Sequence, residues 1–149
     1  MNGHNLRGQA LRRQRGFTLI EIMVVVIILG ILTAIVAPNV ISRVGDAQVQ
    51  AAKQDIRAIE GALNLYRLDN FNYPTTEQGL AALQARPADP NIRNWKGPYL
   101  QKDPIDPWGN PYQYLSPGQR SGGEIDIYTL GRDGNPGGDG EDADIGNWD

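Results

Sequence analysis

Two groups of acids stand where acids need a reason. Glu21 interrupts the apolar run Phe17–Ala37, and Asp133, Asp139, Glu141, Asp142, Asp144 and Asp149 crowd the last 17 residues among five glycines. A carboxylate inside a membrane-length helix costs a few kcal/mol, so such residues are generally functional and paired. No Lys, Arg or His lies between Phe17 and Ser42 to pair with Glu21. Cleavage after Gly16 would expose an amino group at Phe17, one helical turn from Glu21. That amine could neutralise Glu21 in its own chain or, better, the Glu21 of a neighbouring copy. A protonated glutamic acid tolerated near the membrane interface is the bland alternative. Gly16 itself suits a cleavage point, because glycine lets the backbone take extended shapes in a protease cleft with no side chain in the way.

The acidic tail offers different chemistry. Like charges this dense repel, and a disordered tail is the simplest expectation. Ile145 and Trp148 argue otherwise, as apolar anchors placed after the acids. Glycines between carboxylates let a loop curl its oxygens inward, and a hard cation taking roughly 6 to 8 oxygens would turn the repulsion into closure. With no cysteine for a disulfide, a metal is a staple that a small domain could use. Asp133, Asn135 and Gly138 echo positions of an EF-hand loop, but Pro136 and the missing flanking helices count against that motif. A single Gly137-Gly138-Asp139 start does not make a stacked calcium-binding nonapeptide repeat.

Composition removes most enzyme classes. The only histidine is His4, and there is no cysteine. A chain cut after Gly16 therefore lacks Ser-His-Asp, Cys-His and ordinary zinc chemistry. Residues 1–16 carry Arg7, Arg12, Arg13 and Arg15 without an acid, and losing them takes the formal net charge from -3 to -7. The remainder has no basic stripe for phosphates, so no nucleic-acid partner is expected.

The elements that must position these residues follow from periodicity. The 21 residues Phe17–Ala37 reach about 30 Å as a helix, the thickness of a hydrocarbon core. Positive charge before the run and acid after it place residues 1–16 in the cytoplasm and the chain from Pro38 outside it. Ala34 and Ala37 could mimic an ordinary signal-peptide site, but the run is long and an amphipathic helix continues it. Ala52, Ile56, Ile59, Leu63 and Tyr66 form one apolar stripe, predicting a single helix from about Phe17 to Leu68, loosened near Pro38 and Gly45. Thr75 and Gln78 fit a capping box that starts a short second helix with Leu80 and Leu83 inward. Asp106–Pro111 reads as a turn cluster with Trp108 as its anchor. Tyr112–Leu115 and Glu124–Leu130 read as strands, with Ile125, Ile127 and Thr129 on one face.

Arg15-Gly16-Phe17-Thr18-Leu19-Ile20-Glu21 before an apolar run resembles the class III signal of type IV pilins and type II secretion pseudopilins. Tyr73–Leu80, Asp106–Tyr112, Leu130–Gly134 and Asp144–Trp148 extend the resemblance to the major pseudopilin family over nearly the whole chain. It implies an α+β, type IV pilin-like fold: a long N-terminal helix, half transmembrane, packed on a small antiparallel sheet with a C-terminal metal-binding loop. It implies a leader at 1–16, a span at 17–37 and a periplasmic domain at 38–149. A prepilin peptidase would cut after Gly16 and methylate Phe17, and Glu21 would recruit and align subunits. Calcium would be held by the Leu130 carbonyl, Asp133 and later aspartates; among Asp139, Asp142 and Asp144, we favour Asp142 and Asp144, with the Asn135 carbonyl as a further donor. The implied product is a periplasmic homopolymer anchored in the inner membrane, which helps push folded exoproteins through the outer membrane. Its implied partners are minor pseudopilins, an assembly platform with a cytoplasmic ATPase, and the exoproteins. Two competing functions remain. A type IV pilus subunit, serving adhesion, motility or DNA uptake, would often close its C-terminal region with a cysteine pair, absent here. A membrane-anchored periplasmic hydrolase would use paired carboxylates or the metal, and its loop acids would have to leave a coordination site open for water.

Overall fold

The computed structural model describes residues 16–149, without the side chains of 37–42. The basic leader, apart from Gly16, lies outside the described residues. The chain divides into two compact units, residues 1–39 and 40–149.

In the first unit, helix α1 begins at Leu19; it runs to Asn70 in the second. The window Leu19–Val36 has a mean hydropathy of 3.0, and none of it is buried by the chain. Leu19, Ile20, Val26 and Ile35 are all more than 60% exposed. A helix that supports a soluble core would cover such side chains. Among the described residues nothing covers them, as a span designed for lipid would require.

In the second unit, α1 carries the expected stripe inward: Ala52, Ile56, Ile59, Leu63 and Tyr66 are all buried, joined by Ala62. Against it stands a three-stranded antiparallel sheet in the order β1 (Gln113–Leu115), β2 (Asp126–Thr129) and β3 (Ile145–Gly146). Gln113 faces Tyr128 across the first pair, and Thr129 faces Ile145 across the second. Ile125, Ile127 and Thr129 are buried as the alternation requires. Two tyrosines tie the sheet to its surroundings: Tyr112 donates to the Ala52 carbonyl and to Asp55 on α1, and Tyr114 to the Pro74 carbonyl. Burial raises the Tyr112 hydroxyl well above its usual pKa and pushes Tyr114 up to about 12.

Three details refine the expectations. Strand β3 reads in the sequence only as anchors, because two residues are too few to show alternation. The capping box exists, with Thr75 N–H on Gln78 Oε1 at 3.0 Å and Gln78 N–H on Thr75 Oγ1 at 3.3 Å. It heads a turn and then the short second helix, a 3-10 helix Leu80–Leu83 with both leucines buried as expected; Gly79 takes φ 58 between them. The helical assignment of α1 also runs unbroken through Pro38 and Gly45. Gly45 is buried, and a β-carbon there would overlap the Glu141 carboxylate. The glycine seats the acidic loop on the helix as well as lowering local helix propensity.

Candidate functional site

The first site is the head of α1. Gly16 and Phe17 precede the helix; no atom lies within 4 Å of a β-carbon placed at Gly16, and Phe17 is 79% exposed. Among the described residues nothing covers the bond between them. Thr18 caps the helix: Glu21 N–H donates to Thr18 Oγ1 at 3.3 Å, and Thr18 N–H approaches Glu21 Oε2 at 3.5 Å. This reciprocal arrangement is a capping box, and its signal, Thr three residues before Glu, was present in the sequence but passed over. Among the described residues Glu21 makes no ion pair. The cap draws its carboxylate back toward the N-terminus, the side on which a cleaved chain would present its amine.

The second site is the acidic loop, which is folded back on itself and not a loose tail. Arg132 N–H donates to the Glu141 carbonyl at 2.8 Å, and Asp144 N–H to the Gly137 carbonyl at 3.1 Å. Gly131 makes the close return possible: its φ is 72, and a β-carbon would lie 2.7 Å from the Glu141 carbonyl and 2.8 Å from that of Ala143. Leu130 sits directly after β2, half-buried. Asp133 and Asn135 are brought together, since Asp133 Oδ1 accepts from Asn135 N–H at 3.0 Å and the Asn135 amide donates to the Asp133 carbonyl. Asp139 is the exposed residue before the 3-10 turn Gly140–Asp142.

The later aspartates are engaged by arginines. Arg132 forks Asp142 at 2.9 and 3.0 Å and reaches Glu141 at 3.2 Å. Arg120 holds Asp144 at 2.7 Å while lying over the rings of Tyr128 and Trp148. Asp144 also accepts from Gly137 N–H at 3.1 Å. Among the described residues no three acidic side chains converge on one point. The donor types, carboxylate and carbonyl oxygen from Leu130, Asp133, Asn135, Asp142 and Asp144, suit a hard cation. The two guanidinium groups compete with such an ion for the same oxygens.

Sequence reasoning missed a further pair of acids. Asp126 is fully buried, and its carboxylate accepts the backbone N–H groups of Gln119, Arg120 and Ser121 at 2.6, 2.7 and 2.9 Å. Burial alone would raise its pKa, but hydrogen bonds from Ser121 and these backbone donors outweigh it and bring it down to about 2. Asp106, 5% exposed, accepts Trp108 and Asn110 N–H and the Thr129 hydroxyl. Both shape loops. Their positions looked like an ordinary turn residue and an outward strand residue, so no sequence signal separated them.

Residues 39–148 match the family described as type II secretion system, protein G, and residues 11–37 match the prokaryotic N-terminal methylation motif. The chain belongs to the type II secretion system protein G family. A type II secretion system core protein G of Pseudomonas aeruginosa is 61% identical over 140 residues, covering 93% of this chain and 97% of the relative. One from Vibrio cholerae is 55% identical over 139 residues, covering 93% and 94%. The crystal structure of the major pseudopilin from the type 2 secretion system of enterohaemorrhagic Escherichia coli superposes with a TM-score of 0.62 at 45% identity, over 74% of this chain and 95% of that one. The α+β pilin-like architecture and the type II secretion reading therefore stand, and the family is one of structural subunits. The methylation motif spans Gly16, Phe17 and the apolar run, and the protein G match covers both the sheet and the acidic loop.

Proposed function

We propose that this chain is the major structural subunit of a periplasmic pseudopilus in a type II secretion system, stored in the inner membrane before it polymerises. The observation that carries this reading is the head of α1. A Gly16–Phe17 bond that no other described residue covers precedes a bare 18-residue apolar stretch of α1 whose only charge, Glu21, has no ionic partner among the described residues. Polymerisation satisfies both needs, because neighbouring spans cover the apolar side chains and a neighbour's new Phe17 amine meets Glu21. Residues 1–16 are the cytoplasmic leader, 17–37 the span and 38–149 the periplasmic domain. A prepilin peptidase cuts and methylates at Gly16 and Phe17; minor pseudopilins, the assembly platform with its ATPase, and exoproteins are the further partners. The chain acts as a structural subunit, in keeping with its family.

Mass spectrometry of the native N-terminus tests this directly. A mature chain starting at methylated Phe17 is expected, and a chain still starting at Met1 refutes the reading. Gly16→Ala should leave the precursor uncut, seen as slower migration on a gel, because a methyl group enters the peptidase cleft at the scissile residue. Processing at the wild-type rate would remove Gly16 from the site.

Calcium is the proposed occupant of the acidic loop, held by the Leu130 carbonyl, Asp133, Asp142 and Asp144, with the Asn135 carbonyl as an additional donor. It would neutralise the loop's repulsion and free Arg132 and Arg120 from that role. A fragment starting at Ser42 should melt lower after chelation. A ligand present at a hundred times its dissociation constant adds about 2.7 kcal/mol. That is roughly 10–15 °C for a domain of about 100 residues. Because the arginine pairs already hold Asp142 and Asp144, the chelated domain should stay folded. An unchanged midpoint would exclude the structural ion.

A further inference from the structure

The outward face of α1 bears apolar side chains that the domain's own core leaves bare. Leu65 and Leu68 lie one turn apart and are 54% and 75% exposed, while Phe71, just past the helix, is 76% exposed. Phe71 has φ 68, and its N–H closes the helix on the Arg67 carbonyl at 2.7 Å. Glycine is the usual residue at such a left-handed helix end. This chain instead keeps a strained backbone and an exposed ring together at one point.

A groove of about 400 Å³ opens elsewhere on the same domain, between α1 and the loop Leu100–Ile105. Ala58, Ile59, Leu100, Pro104 and Ile105 supply its apolar wall. Ile105 is 49% exposed there. The groove and the knob occupy different positions on one chain. A contact between them across copies is heterologous: it repeats head to tail and builds an open helical filament unless the rotation closes a ring. Ala58 and Leu68 are ten residues apart on α1, so the contact would shift successive copies by about 15 Å along the helix. Three side chains cover far less than the roughly 1,600 Å² of a standard stable interface. This contact cannot hold a dimer alone, which suits a subunit that associates only when the bare spans also pack.

We propose that Leu65, Leu68 and Phe71 of one copy seat in the Ala58–Ile105 groove of the next copy, fixing the stagger of the polymer. The inference rests on the polymer reading above and names the surface used. A second copy carries both surfaces, whereas a secreted partner would use the knob alone.

The chain has no cysteine, so introduced thiols report without background. In cells assembling the full-length chain, the Leu68→Cys, Ile105→Cys double variant should give a ladder of dimers, trimers and larger species with a short bismaleimide. Each single variant should give none. Dimers from Leu68→Cys alone would mean knob meets knob, and a cross-linked secreted protein in place of the ladder would mean a foreign occupant; either overturns the proposal. So does a double variant that forms filaments at the wild-type level without a ladder. Leu68→Asp should be processed normally and melt at the wild-type temperature, yet reduce filaments roughly tenfold or more. Normal filament yield would overturn the proposal as well. If the wild-type chain forms no filament in the same cells, the polymer reading itself fails, which is a different result.

Discussion

Asp126→Ala should destabilise the domain by about 3–4 kcal/mol, a large share of the 5–15 kcal/mol typical of a folded domain. The reason is local and specific. One fully buried carboxylate gathers three consecutive backbone N–H groups, those of Gln119, Arg120 and Ser121, and alanine leaves all three without an acceptor. Bonds to a charged acceptor are worth more than neutral ones, and buried donors cannot be given to water at no cost. The damage should spread, because the loop that Asp126 clamps carries Arg120, which holds Asp144 in the acidic loop. Acid provides an independent check. The folded-state carboxyl sits near 2, below its ordinary 3.8, so the native state binds fewer protons than the unfolded chain as pH falls. Its contribution, about 2 kcal/mol, is fully present above pH 4 and disappears as pH drops toward 2. Asp126→Asn cannot ionise. The stability gap between wild type and this variant, read from urea unfolding of a fragment starting at Ser42, should therefore narrow steadily from pH 5 to pH 2. A gap of constant size would show that the charge does not matter.

That clamp also marks where sequence reasoning stopped. The apolar stripe Ala52, Ile56, Ile59, Leu63, Tyr66 was legible because burial on a helix repeats every three to four residues, and all five are buried. The span was legible for the same kind of reason, as was the Thr75–Gln78 box, where each side chain serves a donor only three residues away. Asp126 was not, because its partners come from a loop and nothing in a strand's alternation says that an outward position will be roofed over. Strand β3 is too short to carry a period. Gly45 showed its low helix propensity, while its role as a seat for Glu141 depends on a contact about a hundred residues along the chain. In the acidic loop the donor chemistry was legible from residue types, and the fold added Arg132 and Arg120 as competitors for those donors. Local patterns were readable; contacts between distant segments were not.

Glu21→Gln should be cut after Gly16 as the wild type is, yet assemble at least about a hundredfold less well. Two roles are superposed at this residue, and glutamine separates them. One is the cap on α1, in which Glu21 and Thr18 exchange hydrogen bonds. Glutamine serves in a capping box as glutamate does, so the helix head should survive. The other is charge. Within a lipid-facing run a lone carboxylate costs about 2.5–3.5 kcal/mol, and a neighbour's Phe17 amine removes that penalty only when subunits meet. The subunit therefore stores, in the membrane, a cost that assembly relieves; about 2.8 kcal/mol of it corresponds to a hundredfold in association. Glutamine carries no such cost and so gains nothing from the neighbour, while the neighbour's buried amine is left unpaired. Glu21→Ala removes charge and cap together and should fail to the same extent or further. If glutamine assembles normally and alanine does not, the cap is the function of Glu21 and the ion-pair account is wrong. Filament yield measured alongside processing separates these outcomes.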